Sequence, residues 1–158
     1  MALFQKAGLA AGSVFQKGNE IMEFVVLGAP QGKARPRFSR KSGTVYTPKK
    51  TAAYEKKIAT EYQRNGGTCF PAGTYVRVHV RAVFPIPQSW SKAKQQAAAN
   101  DLLRPDKKPD IDNILKVVLD ALNGIAYDDD KQVVCISCQK VYGYLMGMLQ
   151  ISISEDKV

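Results

Sequence analysis

Between Tyr75 and Pro85 the chain alternates: Val76, Val78, Val80 and Ala82 are interleaved with Arg77, His79, Arg81 and Val83. Successive side chains of an extended backbone point to opposite faces, so this period predicts a strand half buried against a core. Met22 to Leu27 is short, apolar and rich in β-formers, and predicts a first strand. Gln132 to Val141 and Leu145 to Ile153 read as two further strands forming a last hairpin, with the turn at Gly143 and a bulge at Gly147. Pro48 is placed to open a helix that runs to about Asn65 and stops at Gly66-Gly67. Ser89 is read as the cap of a second helix extending to about Leu103. Gly28 to Thr47, rich in Gly, Pro and Ser, reads as a loop with a short hairpin around Gly43.

The third helical pattern, Ile111 to Gly124, carries the most information. At about 100° per residue, Ile111, Ile114, Leu115, Val118, Leu119, Leu122 and Ile125 share a broad apolar face. Asp112, Lys116, Asp120 and Asn123 form a polar stripe, with Asn113 at its edge. Asp112 and Lys116, four apart, are surface neighbours, and alone they would be an ordinary helix ion pair. Asp110 stands just before the helix, however, and Asp128-Asp129-Asp130 just after it. Carboxylates brought together repel, so such a cluster needs a cation, either a hard divalent metal with oxygen ligands or Lys and Arg partners. The helix spans roughly 20 Å. Asp129 or Asp130 therefore meets Asp110 and Asp112 only if the following strand, starting at Val133, returns alongside it.

Composition sharpens this picture. At 158 residues and 45% hydrophobic, the chain has the size of one domain with a core of its own. Its formal net charge is +9, yet eight of its 14 acids lie between Asp101 and Asp130, so the rest of the surface is more basic than the net figure. From Lys33 to Lys50 there are seven basic residues (Lys33, Arg35, Arg37, Arg40, Lys41, Lys49 and Lys50) and no acid, with Phe38 and Tyr46 interleaved. An acidic pocket in a basic surface suits a polyanion gripped at its phosphates and cut at a metal site. Cys69, Cys135 and Cys138 give an odd count with no second pair for a zinc site, and read as reduced packing residues. The aspartate run lacks the glycine and terminal glutamate of a calcium-binding loop. His79, the sole histidine, sits in a strand and reads as a packing or surface residue. No apolar run has transmembrane length, and a cytoplasmic location is expected. Residues 1–19 repeat Phe-Gln-Lys (Phe4 to Lys6, Phe15 to Lys17) in small-residue filler and read as a leader or added arm, an amphipathic arm being the alternative; residues 20–158 read as the domain.

The sequence Lys108-Pro109-Asp110-Ile111-Asp112-Asn113 with Lys116, then Asp120-Ala121-Leu122-Asn123-Gly124, then Asp129-Asp130-Lys131-Gln132-Val133 resembles the RusA family of Holliday junction resolvases. The shared pattern is P-D-x-D-N-x-x-K, D-A-L-x-G and D-D-x-Q-V, and it extends to Lys33-Ala34-Arg35-Pro36-Arg37-Phe38 and Val45-Tyr46-Thr47-Pro48. The apolar Tyr144 to Met148 segment departs from it. The resemblance implies a single α+β domain with a mixed β-sheet flanked by helices, and a dimeric Mg²⁺-dependent endonuclease acting on four-way DNA junctions. By motif position Asp110, Asp112 and Asp130 match the metal-binding catalytic carboxylates, Asp129 the adjacent, less critical acid, and Lys116 the active-site lysine. Mg²⁺, with Mn²⁺ as an alternative, suits this count of carboxylates. The basic residues from Lys33 to Lys50, with Lys108, are the expected DNA contacts. Two symmetric nicks call for two sites, hence a homodimer, for which the strands from Val133 to Val141 and Leu145 to Ile153 offer an apolar surface. A nuclease selective for other branched DNA and a catalytically silent DNA-binding protein are the other classes open.

Overall fold

The computed structural model describes residues 21–157; the leader read at residues 1–19 lies outside the described residues. In chain order the elements are β1 (Ile21–Leu27), β2 (Arg37–Ser39), β3 (Thr44–Tyr46), α1 (Lys49–Arg64), β4 (Val76–Pro85), α2 (Lys92–Ala99), α3 (Ile111–Leu122), a 3-10 turn (Asp130–Gln132), β5 (Val133–Gly143) and β6 (Met148–Glu155). β1, β6, β4 and β5 form one mixed sheet in that order, and β2 and β3 a separate two-stranded ribbon. This is the expected α+β domain.

The alternation in β4 does what its period predicts. Val76, Val78, Val80 and Ala82 are all fully buried, and they join Phe24, Val26, Leu149, Ile151 and Ile153 in one core with α1 and α3. α1 contributes Thr51, Tyr54, Ile58 and Tyr62, spaced three and four apart along one stripe. Pro48 stands at its N-cap, one residue before the helix proper. The opposite face of β4 carries Arg77, His79 and Arg81, with a small apolar cluster of Val83, Val141 and Met148 at one end.

Several sequence expectations change. β5 and β6 do not form a hairpin: β4 lies between them, parallel to β5 and antiparallel to β6. Residues 144–147 step across the carboxyl end of β4, tied down by hydrogen bonds from the Ile86 N–H to the Gly143 carbonyl at 3.0 Å and from the Gly28 N–H to the Gly147 carbonyl at 2.8 Å. Gly147 is therefore a close approach and not a bulge; a Cβ there would stand 2.8 Å from Ala29 Cα. The irregularity in the sheet falls instead between Val76 and Arg77, in the register with β5. Because β6 is an interior strand, Leu149, Ile151 and Ile153 are consumed by the core and offer no outer apolar surface. α2 is shorter than expected: its cap is Ser91, whose Oγ accepts from the Lys94 N–H at 3.4 Å, and it ends at Ala99. The buried stripe of α3 is Ile114, Val117, Val118, Ala121 and Leu122, so Ile111, expected in the core, is 43% exposed. The helix packs against both α1 and β5, and two neighbours rotate the stripe away from a single best face. Cys69, expected to pack, is exposed, with its Sγ 3.7 Å from Asp128 Oδ1.

One cation fastens the two core helices to the loop after β1. Lys33 Nζ lies 2.5 Å from Glu55 Oε1 on α1 and 2.7 Å from Asp120 Oδ2 on α3. Burial works to lower the Lys33 pKa, but the two carboxylates, Asp120 first, outweigh it and hold it above its usual value. Nearby, the Tyr54 hydroxyl is buried facing the Gln31 backbone without a hydrogen bond of ordinary geometry. Burial pushes its pKa up to about 12, and that of Tyr62, whose hydroxyl donates to the Thr68 carbonyl at 2.6 Å, also to about 12.

These raised values fix a pH dependence. Each group keeps its proton in the fold longer than in the unfolded chain, so its contribution to stability is complete below the ordinary values of 10.0 for Tyr and 10.5 for Lys. That contribution is lost as pH rises toward about 12. Urea midpoints should be level from about pH 9 to about pH 10 and then fall as the pH rises to about 11.5; a flat profile throughout would contradict this placement of Lys33 and the tyrosines. Lys33→Met should cost about 1–2 kcal/mol at neutral pH, less than a fully buried pair because Asp120 is half exposed. Tyr54→Phe removes an unpartnered hydroxyl, and should be neutral or stabilising by up to ~1 kcal/mol.

Candidate active site

Asp110 is the N-cap of α3, its backbone extended and its carbonyl accepting the Ile114 N–H at 3.1 Å. Its carboxylate makes no capping bond and is exposed, which leaves it open to a ligand. Asp112 lies in the first turn, where the helix dipole favours negative charge. It pairs with Lys116 Nζ at 3.2 Å, both side chains about 60% exposed. The segment before β2 is laid directly on this helix end. The Lys33 N–H donates to the Asn113 carbonyl at 2.7 Å. Gly32 permits that approach: a Cβ there would meet Asn113 Cβ at 2.9 Å and Pro109 Cβ at 3.0 Å. The basic loop and the first acids are thus one local structure.

The second acidic group is built by the turn after α3. Tyr127 is fully buried, and its hydroxyl donates to the Leu119 carbonyl at 2.9 Å. Burial, then the negative charges of Asp130 and Asp120, push the Tyr127 pKa well above its usual value. Asp130 and Asp120 therefore both act on the same buried hydroxyl, one from the turn and one from the helix. Gln132 holds the turn in place. Its Oε1 accepts from the Asp128 N–H at 3.0 Å, and its Nε2 donates to the carbonyls of Pro71 at 3.0 Å and Thr74 at 3.2 Å. Asp129 Oδ1 accepts from the Lys131 N–H at 3.0 Å, and chiefly through that bond its pKa is lowered. Asp130, exposed, starts the 3-10 turn.

Asp110 and Asp112 lie at the amino end of α3, Asp120 about 15 Å further along its axis, and Asp129 and Asp130 in the turn that leads from α3 to β5. Among the described residues no three acids, histidines or cysteines are close enough together to hold a metal ion in this arrangement. Arg35, Arg37, Arg40, Lys41, Lys49, Lys50 and Lys108 are all exposed, and none takes part in an ion pair among the described residues. Lys33 differs from them, being held by Glu55 and Asp120 with 20% of its side chain exposed. Sequence reasoning misses Glu55, Tyr127 and Gly32 as parts of this region. Glu55 carries no local signal, because it is 22 residues from the lysine it pairs with.

His79 lies in β4 with its Nδ1 2.5 Å from the Ser137 Oγ, a cross-strand contact away from the acids. No helix among the described residues is long and apolar enough to cross a membrane.

Comparison with known proteins agrees with the pattern of acids. The family described as "Endodeoxyribonuclease RusA" matches residues 28–154. A Bacillus subtilis protein named "Uncharacterized protein YqaN" is 36% identical over 127 residues, covering 78% of this chain and 89% of its own length. The matched region takes in the loop of Gly32 and Lys33, α3, the acidic turn and both strands that follow, and so the chain belongs to the RusA family of endodeoxyribonucleases.

Proposed function

We propose that this protein is a metal-dependent endonuclease that resolves four-way DNA junctions by paired nicks, acting as a homodimer. The observation that supports it best is the pair of exposed acids at the head of α3, one of them an N-cap that forgoes its capping bond, set against an exposed basic loop in a chain of this family. The chemistry of these donors is that of a Mg²⁺ site, with Mn²⁺ as an alternative. That ion takes carboxylate oxygens and water and is commonly held by only one or two carboxylates with the substrate's phosphates. Asp110 and Asp112 would hold it together with the substrate's phosphates, and Asp130, with Asp129 beside it, would have to move up to them from the turn to complete the set. The Lys131 N–H already occupies one oxygen of Asp129, which suits a secondary part. When bound, the ion lowers the pKa of a water and polarises phosphoryl oxygens.

The chain's own groups do the rest. Lys116, on the same helix face as Asp112, supplies a fixed positive charge for the scissile phosphate or the leaving oxygen. Arg35, Arg37, Arg40, Lys41, Lys49, Lys50 and Lys108 bind flanking phosphates, and Lys33 fixes the loop that carries the first of them. The dimer surface we assign to the β5 edge, where Val134 and Ile136 are 52% and 41% exposed, with Tyr144, Leu145 and Met146 beside it.

Replacing Asp110, Asp112 or Asp130 by Asn should lower junction cleavage by about 10²-fold or more, while binding to the same junction survives or tightens. Full cleavage by any one of the three variants would remove that residue from the site. Replacing Arg35, Arg37, Arg40 and Lys41 together by Ala should weaken binding and flatten the slope of log affinity against log salt by about 0.9 for each phosphate no longer neutralised. An unchanged slope would show that the loop does not touch DNA. In light scattering the mass should be that of two chains without DNA and should resist salt. A monomer at tens of micromolar that still cuts junctions would contradict the preformed dimer.

A further inference from the structure

The β2–β3 ribbon is built in a way that phosphate binding alone does not explain. It is a sheet of its own, three residues on each side, paired Arg37 with Tyr46, Phe38 with Val45 and Ser39 with Thr44. Its turn is closed by the Gly43 N–H to the Ser39 carbonyl at 2.9 Å and by the Ser42 and Thr44 hydroxyls 2.8 Å apart. Because side chains alternate along a strand, Phe38 and Val45 share one face and Arg37 and Tyr46 the other. Phe38 is 63% exposed and Val45 67%, and neither belongs to a core cluster of the protein. An aromatic and a β-branched side chain directly across a ribbon stabilise it modestly. A two-stranded hairpin is marginal by itself, and burying this pair against the body of the protein would stabilise it further. Here the pair faces water instead, with Arg40 and Lys41 at the ribbon tip and no acid between Lys33 and Lys50.

That charge selects a polyanion as the occupant, and the apolar pair selects one whose interior offers flat apolar faces. Unpaired or strained bases of nucleic acid meet both requirements, since aromatic side chains stack on any base and apolar wedges open base steps. We propose that the ribbon is a wedge: Phe38, backed by Val45, packs against bases unstacked at the branch point of DNA, while Arg37, Arg40 and Lys41 hold the phosphates on either side. This rests on the junction reading given above and adds to it a residue that recognises the branch itself.

The test uses a four-way junction carrying 2-aminopurine at the exchange point, with no divalent metal, at saturating full-length protein. Wild-type protein should raise the fluorescence severalfold as the base leaves its stack. Phe38→Ala should abolish the rise and weaken binding roughly 5- to 150-fold, the worth of one base stack, without changing the salt slope, because every phosphate keeps its cation. Phe38→Trp should restore both fluorescence and affinity, which separates loss of stacking from loss of folding. The wedge is overturned if wild-type protein binds and, with Mg²⁺, cuts the junction without a fluorescence rise, or if Phe38→Ala matches wild type. It is also overturned if Phe38→Ala flattens the salt slope. Failure of the wild-type protein to bind or cut any junction would sink the junction reading itself, a different result from a protein that resolves junctions without Phe38.

Discussion

Burial of one side of α3 is the constraint on which the rest of the structure depends. Ile114, Val117, Val118, Ala121 and Leu122 are almost wholly removed from water between α1 and the sheet. Each large aliphatic side chain so buried contributes about 1.5–3 kcal/mol, an upper estimate for a compact unfolded chain. The exposed Asp112–Lys116 pair contributes about 0.2–0.5 kcal/mol. Packing therefore decides how the helix is rotated, and the acids take the positions that packing leaves them. Asp110, Asp112 and Asp120 remain at the surface because the opposite side of the helix is committed to the core.

Two polar devices then hold the surroundings in register with that helix. Lys33 bridges Glu55 and Asp120 and carries the basic loop to the head of α3, where Gly32 allows the backbones to touch. Gln132, itself buried, commits both ends of its amide to backbone groups and fixes the aspartate turn to the loop before β4. Each device spans distant parts of the chain, so the acidic surface is a tertiary product and not a feature of one segment. An acid-rich helix without them would repel its own neighbours, which is the general difficulty of gathering carboxylates.

Local features are legible in the sequence; their partners are not. The period of β4, the ribbon around Gly43 and the limits of α1 follow from side-chain alternation and from Gly and Pro chemistry, which act over a few residues. The pairing of β5 and β6 does not, because a period of two says which face is buried and not which strand lies alongside. The short link at residues 144–147 favours a hairpin, yet β4 sits between the two strands. The apolar pattern of α3 suggests one packing surface, and packing against both α1 and β5 brings in Val117 and Ala121 instead of Ile111. Asp110, Asp112 and Asp130 are legible as candidates because acids are conspicuous in a basic chain. Lys33 reads as one more basic residue, since its partners Glu55 and Asp120 are far away in sequence. That no three acids of the region stand together is likewise not legible, because it depends on where the turn after α3 places Asp130.

We propose that these acids and the basic loop act together as a metal-dependent site for branched DNA. The most direct measurement is cleavage of end-labelled four-way junction, flap and linear duplex by the same protein preparation, with Mg²⁺ and with chelator. Symmetric nicks in the junction that require Mg²⁺ are expected, with flap and duplex cut far more slowly. Equal cleavage of all three substrates, cleavage that persists in chelator, or junction binding with no cleavage under any metal would contradict it.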